Sequence, residues 1–302
     1  MTKILVECPQ CIPSVRVGVL ASLQPLADGG HCQLRYRDTK EITRTDIQWC
    51  DCLVCVRGCE YPTLRIVEAA KKAGKFLFYF LDDDLLEIPR GNESTKYYSD
   101  YKIKINLTKI LSLCDALWAV NRRIIEKYSA WCPRCFLSRV PAHIHRLPPQ
   151  SGDRVHVLYA GSVDHSGLVQ EKLSPAVTRI LEDFAGKVDF TFVGANPSLN
   201  GVSGVRIYPF FESYEDYQTF IACGDFTVGL APAYDTPFYA CKYYNKFVEY
   251  SSFGIAGIYE NTQPYTQIVE NKKNGFLCGP SSEDWYTALR AVLVSSQRLQ
   301  TV

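Results

Sequence analysis

Lys242, Lys246 and Glu249 recur at helical spacing within the stretch DTPFYACKYYNKFVEYSSFGIAGIYENTQPYTQIVENKKNGF, residues 235–276. On a helix these positions share a face, which lines one edge with two ammonium groups and a carboxylate. Ammonium groups stabilise phosphate, and a carboxylate further along the helix accepts hydrogen bonds from a sugar diol. Phosphate with ribose points to a nucleotide. The loop at about 231–241 precedes this helix, where an open α/β sheet receives ligands on strand carboxyl ends and helix N-termini. Tyr244, Phe247, Val248 and Ser251 fall on another helical face, which is expected to pack on the sheet. Gly254 reads as the helix stop, and residues 255–259 as a short buried strand.

Further groups with chemical potential lie elsewhere. Asp82, Asp83 and Asp84 follow the apolar run FLFYFL. Such carboxylates serve either as a D-x-D site in which Asp82 and Asp84 hold a divalent ion against a diphosphate, or as a cleft rim facing an acceptor, or as a helix cap. Ser14 and Arg16 occupy a strand-to-helix turn. Ala160-Gly161-Ser162 is a small-residue turn that lets backbone amides approach a ligand. Cys8-x2-Cys11 and Cys132-x2-Cys135 have metal-like spacing, yet no His or carboxylate clusters with them in sequence. Reduced thiols are the better reading for the 13 cysteines.

These groups need elements to hold them. Residues 3–6, 31–36, 52–56, 76–81 and 116–120 read as strands, and 13–26, 61–73 and 105–113 as helices, with Asn121 capping a helix through Tyr128. Strands alternating with helices argue for a mostly parallel sheet. The tyrosine-rich segment 90–104 reads as a mobile loop in which Lys96, Tyr97, Tyr98, Tyr101, Lys102 and Lys104 suit anionic headgroups. Residues 140–150, with three prolines and with His143 and His145, are the expected linker. The second half repeats the rhythm, with strands at 155–159, 188–193, 205–208 and 226–230 and a helix at 214–222. Ser281 and Asp284 frame a capping box opening a terminal helix at 282–297, with Trp285, Leu289, Val292 and Leu293 as its apolar stripe.

A chain of 302 residues suits two domains. The formal net charge of +1 gives no global field for nucleic acid. No apolar h-region opens the chain and no run reaches membrane-spanning length, so a cytoplasmic protein is expected, with peripheral contact at the inner membrane face as an additional possibility.

Lys242, Lys246, Glu249 and Tyr250, followed by Gly254 and the strand IAGIYEN, resemble the C-terminal signature of GT-B-fold glycosyltransferases of the group 1 (family 4, retaining) type. The nearest variant reads K-x3-K-x2-E-Y-x3-G-[IL]-P-[VI], with Ala256 here in place of the proline. Ile268-Val269-Glu270 followed by Asn274-Gly275-Phe276-Leu277 is similar to that family's IVE-x3-NG-[FL]-L segment, and CDALWAVNRRIIEKYS to its ADAVIVPSEALAEKYS type of segment. The resemblance is good over about residues 155–295 and loose before that. It implies an α/β GT-B fold, two Rossmann-like domains facing across a cleft: 1–148 on the acceptor side, and 149–302 binding the nucleotide-sugar donor, the last helix free to cross back.

The resemblance also implies transfer of a sugar from a nucleotide-sugar to a saccharide or lipid-linked acceptor, with retention, no metal and no cofactor beyond the co-substrate. Lys242, Lys246 and Asp235 then serve the chemistry; Glu249, Gly161, Ser162, Cys241 and Tyr243 bind the donor; and Arg16, Asp82 and Asp83 face the acceptor. Ser162 departs from the family's arginine, with Lys172 as a distant cationic substitute. Cys241 departs from the first glutamate of E-x7-E, leaving Asp235 as the nearest carboxylate to take over. The alternatives are a non-catalytic GT-B-like protein that binds a glycan or partner, and a nucleotide-sugar epimerase of the same fold.

Overall fold

The structure is a computed structural model that describes residues 1–12, 14–88, 93–139, 142, 144–145 and 154–300. The chain forms two compact units, Met1–Pro141 with Cys241–Tyr243, and Ala142–Ala240 with Tyr244–Val302. The expected linker falls largely outside the described residues, as do its His143 and the 148/149 boundary. His145 is described in the second unit, where its N–H donates to the Ser252 carbonyl (2.9 Å) and its ring stacks on Phe253.

The first unit contains β1 (Thr2–Cys8), a π-helix (Ser14–Leu20), α1 (Ala21–Asp28), β2 (Cys32–Asp38), α2 (Arg44–Trp49), β3 (Cys52–Val56), α3 (Tyr61–Lys72), β4 (Phe76–Leu81), α4 (Glu93–Ser99), α5 (Tyr101–Leu113), β5 (Ala116–Ala119), α6 (Arg122–Tyr128) and β6 (Cys135–Leu137). Its six strands are parallel in the order β2-β1-β3-β4-β5-β6. β3 is buried at every residue, as a central parallel strand covered on both faces must be. Leu64, Val67 and Ala70 of α3 join its core, whereas Ile66 is only partly buried.

Two expectations are corrected here. The single helix expected at 13–26 is a π-helix followed by α1: Gly18 lies on the Phe80 ring, 2.4 Å from where a Cβ would sit. The expected loop at 90–104 contains α4 and the start of α5, because Asp100 caps α5 by accepting from the Lys102 N–H (2.8 Å) and α4 packs on α5.

Glu7, inside β1, is fully buried. One of its oxygens accepts from Thr39 and Thr63, and the Cys55 thiol also lies against the carboxyl group. Burial pushes its pKa above the ordinary 4.5 against these hydroxyl donors. A raised folded pKa makes the contribution of Glu7 to stability full below the unfolded value and lost as pH climbs through the folded one. Glu7→Gln is therefore expected to raise the melting midpoint by roughly 3–6 °C at pH 8, with little gain near pH 4, in paired thermal scans. An equal effect at both pH values would refute the raised pKa of Glu7.

The second unit contains β7 (Val155–Gly161), α7 (Ser166–Lys172), α8 (Ser174–Asp183), β8 (Val188–Gly194), β9 (Val205–Tyr208), α9 (Tyr214–Cys223), β10 (Val228–Ala231), α10 (Pro237–Ala240), α11 (Asn245–Ser252), β11 (Ala256–Glu260), β12 (Phe276–Cys278) and α12 (Ser282–Gln300). Its six strands are parallel in the order β12-β11-β10-β7-β8-β9. The strand order reverses between β7 and β10, the point at which such sheets receive ligands beyond the carboxyl ends of their strands. Ser281 and Asp284 form the expected box at the head of α12, and Trp285, Leu289, Val292 and Leu293 pack into this unit's core. Gly254 takes φ +65°, ending α11 at low steric cost.

Candidate functional site

In the second unit α11 is fastened to the sheet by the residue after Glu249. The Tyr250 hydroxyl donates to the Leu230 carbonyl (2.8 Å), and its ring lies over Gly229, 2.5 Å from where a Cβ would sit. Only glycine in β10 leaves room for that ring. Phe247 adds an aromatic contact to Tyr259, while Ser251, expected on the packing face, is exposed.

With Tyr250 turned inward, Lys246 and Glu249 pair one helical turn apart on a semi-enclosed edge, their side chains 25% and 14% exposed. Tyr217 of α9 supports both: its hydroxyl lies 3.4 Å from the Lys246 ammonium, and it also hydrogen-bonds Glu249. The ammonium sits 5.8 Å from the ring centres of Tyr217 and Tyr250. Burial, then the Glu249 charge, pushes the Tyr214 phenol up to about 12. The carboxylate is thus surrounded by neutral phenols and one cation, an arrangement suited to exchanging partners for ligand hydroxyls.

At the end of β7, Gly161 is required by its own surroundings. A Cβ there would lie 2.4 Å from the Tyr159 hydroxyl and 3.0 Å from His165 Nδ1, two groups that pair with each other at 3.2 Å. Gly194, at φ +81°, has the Gly161 carbonyl oxygen 2.0 Å from its Cβ position. Ser162 is exposed beside this turn. Beyond β10, Asp235 is exposed and accepts from the Thr262 hydroxyl (2.9 Å).

Lys172 is not a loose phosphate ligand. At the end of α7 it is 5% exposed and pairs with Glu260, itself 2% exposed, while donating to the Ala233 carbonyl (2.7 Å). Burial pushes the Glu260 carboxyl up, opposed by Lys172 and by the Ala233 N–H.

In the first unit, Lys242 corrects the helical reading of the sequence. α11 begins at Asn245, so Lys242 precedes the helix and does not share its face with Lys246 and Glu249. Its carbonyl accepts from Asn121 Nδ2 (2.8 Å), and its ammonium lies 3.3 Å from both oxygens of Asp83. Cys241 and Tyr243 on either side are buried, and burial pushes the Cys241 thiol up to about 11.

Asp83 also pairs with Arg57 Nη2 (2.8 Å), whose Nε faces Asp82 at 3.1 Å and whose Nη1 donates to Ser14 Oγ (3.1 Å). Burial raises the Asp83 pKa, but Lys242 and Arg57 outweigh it and hold the group below 3.8. Asp84 turns elsewhere: it is buried against Lys127 (2.7 Å) and the Tyr128 hydroxyl (2.7 Å). The D-x-D metal geometry is therefore not formed by Asp82 and Asp84, and no cluster of three His, Cys, Asp or Glu side chains suited to a metal occurs among the described residues. Arg16, in the π-helix, donates from Nε to Cys11 Sγ (3.2 Å).

By sequence, no protein-family model and no curated protein matches the chain. Solved structures do match. HepE from Anabaena, in complex with UDP and glucose, is 12% identical with a TM-score of 0.64, over 98% of this chain and 91% of that one. Sucrose-phosphate synthase from Thermosynechococcus elongatus is 13% identical with a TM-score of 0.65, over 97% and 90%. A putative UDP-N-acetylglucosamine 2-epimerase from Listeria monocytogenes is 12% identical with a TM-score of 0.58, over 98% and 88%. The fold class is GT-B.

On this fold the expected residues fall into separate groups. Lys246 and Glu249 meet on α11; Gly161, Ser162 and Asp235 lie on turns of the same unit; and Asp82, Asp83 and Lys242 converge in the first unit. Arg57 and Tyr217 were not singled out by sequence reasoning. Arg57 had a signal, a charge directly after the wholly buried run CLVCV. Tyr217 had none, since nothing in α9 marks it from its neighbours.

Proposed function

We propose that the chain is a glycosyltransferase that moves a sugar from a nucleotide-sugar donor to a saccharide or lipid-linked acceptor, with retention and without a metal. The observation that carries this reading is the semi-enclosed Lys246–Glu249 pair on α11, in a fold shared with HepE bound to UDP and glucose. Glu249 offers its carboxylate to the ribose diol, and Lys246 supplies positive charge as the diphosphate departs, the type of preorganised stabilisation that often dominates catalysis. Asp235 is assigned to the hydroxyls of the transferred sugar, and Gly161 and Ser162 to backbone contacts with the donor. Arg16, Asp82 and Asp83 are assigned to the acceptor, with Lys242 as the cation that holds Asp83. Exposed Tyr101 and Lys102 on α5, with Lys96 on α4, support peripheral contact with anionic lipid; no described helix is long and apolar enough to cross a membrane.

The test is a melting-shift screen of UDP, GDP and ADP with EDTA present. One base is expected to raise the midpoint while the others do little, since ligand at about 100 times its Kd adds about 2.7 kcal/mol. No shift with any base would end the nucleotide reading. A second reading, a nucleotide-sugar epimerase, is favoured by the fold match to the Listeria protein and by Cys241 standing where the transferase motif has glutamate. Acceptor-independent conversion of the nucleotide-sugar to a sugar of inverted configuration by the purified chain would select it over transfer.

A further inference from the structure

We infer that the buried Lys172–Glu260 pair is a positioning device that shapes the loop after β10 so that this loop recognises the sugar half of the donor. The inference rests on the nucleotide-sugar reading above. The two residues are 88 positions apart, one at the end of α7 and the other at the end of β11. Between them they take both polar groups of one peptide residue: Lys172 donates to the Ala233 carbonyl (2.7 Å), and Glu260 accepts from the Ala233 N–H (3.1 Å). The Lys172 ammonium also lies 5.2 Å from the Tyr234 ring centre, and two residues beyond β11, Thr262 holds Asp235.

This loop leaves β10 beside β7, where the strand order reverses, and that is where a ligand is received. Tyr250 docks on Leu230 immediately before the loop, so the root of the loop and the Glu249 turn share one anchor. Each residue of the loop from Ala233 to Asp235 is therefore contacted by a side chain from elsewhere in the unit, Lys172 of α7 and Glu260 of β11 at Ala233, Lys172 at Tyr234 and Thr262 at Asp235, which stays exposed.

Stability alone does not account for such a pair, because a buried ion pair gains little over well-packed apolar groups after desolvation. What the pair does supply is direction. Its cation faces the Ala233 carbonyl and its anion the Ala233 N–H, which belong to the two peptide planes flanking one Cα, so the pair fixes both planes and a flip of either leaves a buried charge without its partner.

The experiment compares Lys172→Met/Glu260→Gln, which leaves no unpaired buried charge and keeps an acceptor for the Ala233 N–H, with the charge swap Lys172→Glu/Glu260→Lys. Binding of UDP, GDP and ADP and of their glucose conjugates is measured by calorimetry on the full chain. Both variants are expected to bind the bare diphosphate as the parent does and the glucose conjugate about tenfold more weakly. The swap restores charge balance, yet it sets an ammonium against the N–H and a carboxylate against the carbonyl, so it should not rescue. If the double variant does not fold, Glu260→Gln alone should show a smaller loss in the same direction. An unchanged ratio of the two affinities, or full rescue by the swap, overturns the inference and leaves the nucleotide reading intact; a parent chain that binds no diphosphate defeats both.

Discussion

A Glu249→Gln chain is expected to bind its nucleoside diphosphate roughly 30- to 150-fold more weakly than the parent, a cost of about 2–3 kcal/mol. The carboxylate is 14% exposed and Tyr217 and Lys246 already orient it, so under the proposed function a ribose diol would meet a fixed anion. Glutamine keeps the shape and one acceptor for Tyr217, so folding should hold while charge-assisted bonds to the diol are lost. Lys246→Met should behave differently, lowering turnover about 100-fold or more with a smaller change in diphosphate affinity, because under the proposed function its charge acts on the leaving group. A double-mutant cycle on Kd then separates the Lys246–Glu249 coupling from each residue's contact with the ligand. A Glu249→Gln Kd within threefold of the parent's would remove α11 from the donor site.

The sequence carried the strands because parallel strands covered on both faces must be apolar throughout, as CLVCV and FLFYFL are. It also carried local endings: the Gly254 stop, the Asn121 cap and the Ser281–Asp284 box all act within a few residues. What it did not carry was long-range pairing. Three consecutive aspartates looked alike in sequence, yet Arg57 takes Asp82, Arg57 and Lys242 share Asp83, and Lys127 takes Asp84. Lys242 had helical spacing, but its carbonyl is held by Asn121, 121 positions away, and the helix starts only after Tyr244. Periodicity reports which face of an element is apolar, and is silent on which distant charge will neutralise a polar one.

Arg57→Met is expected to lower stability by about 3 kcal/mol at pH 7, or roughly 6–12 °C in melting midpoint for a unit of this size. The guanidinium is 19% exposed and meets Asp82 and Asp83, themselves 14% and 17% exposed, so its loss leaves Asp83 paired with Lys242 and takes from Asp82 the cation that faces it. The pH dependence follows from the sign of the Asp83 shift. Its depressed folded pKa makes its contribution present above the unfolded value of 3.8 and lost as pH falls through the folded value. Without Arg57 the Asp83 carboxylate titrates higher in the folded chain, so the variant recovers as it protonates and the gap to the parent narrows from pH 7 toward pH 4. Backbone conformation supplies a second comparison, because Arg57 is held at φ +55°. Arg57→Gly should therefore be about 1 kcal/mol more stable than Arg57→Ala, although glycine is usually the poorer residue. A Met variant that melts within 2 °C of the parent at pH 7 would mean that water, and not Arg57, satisfies the two carboxylates.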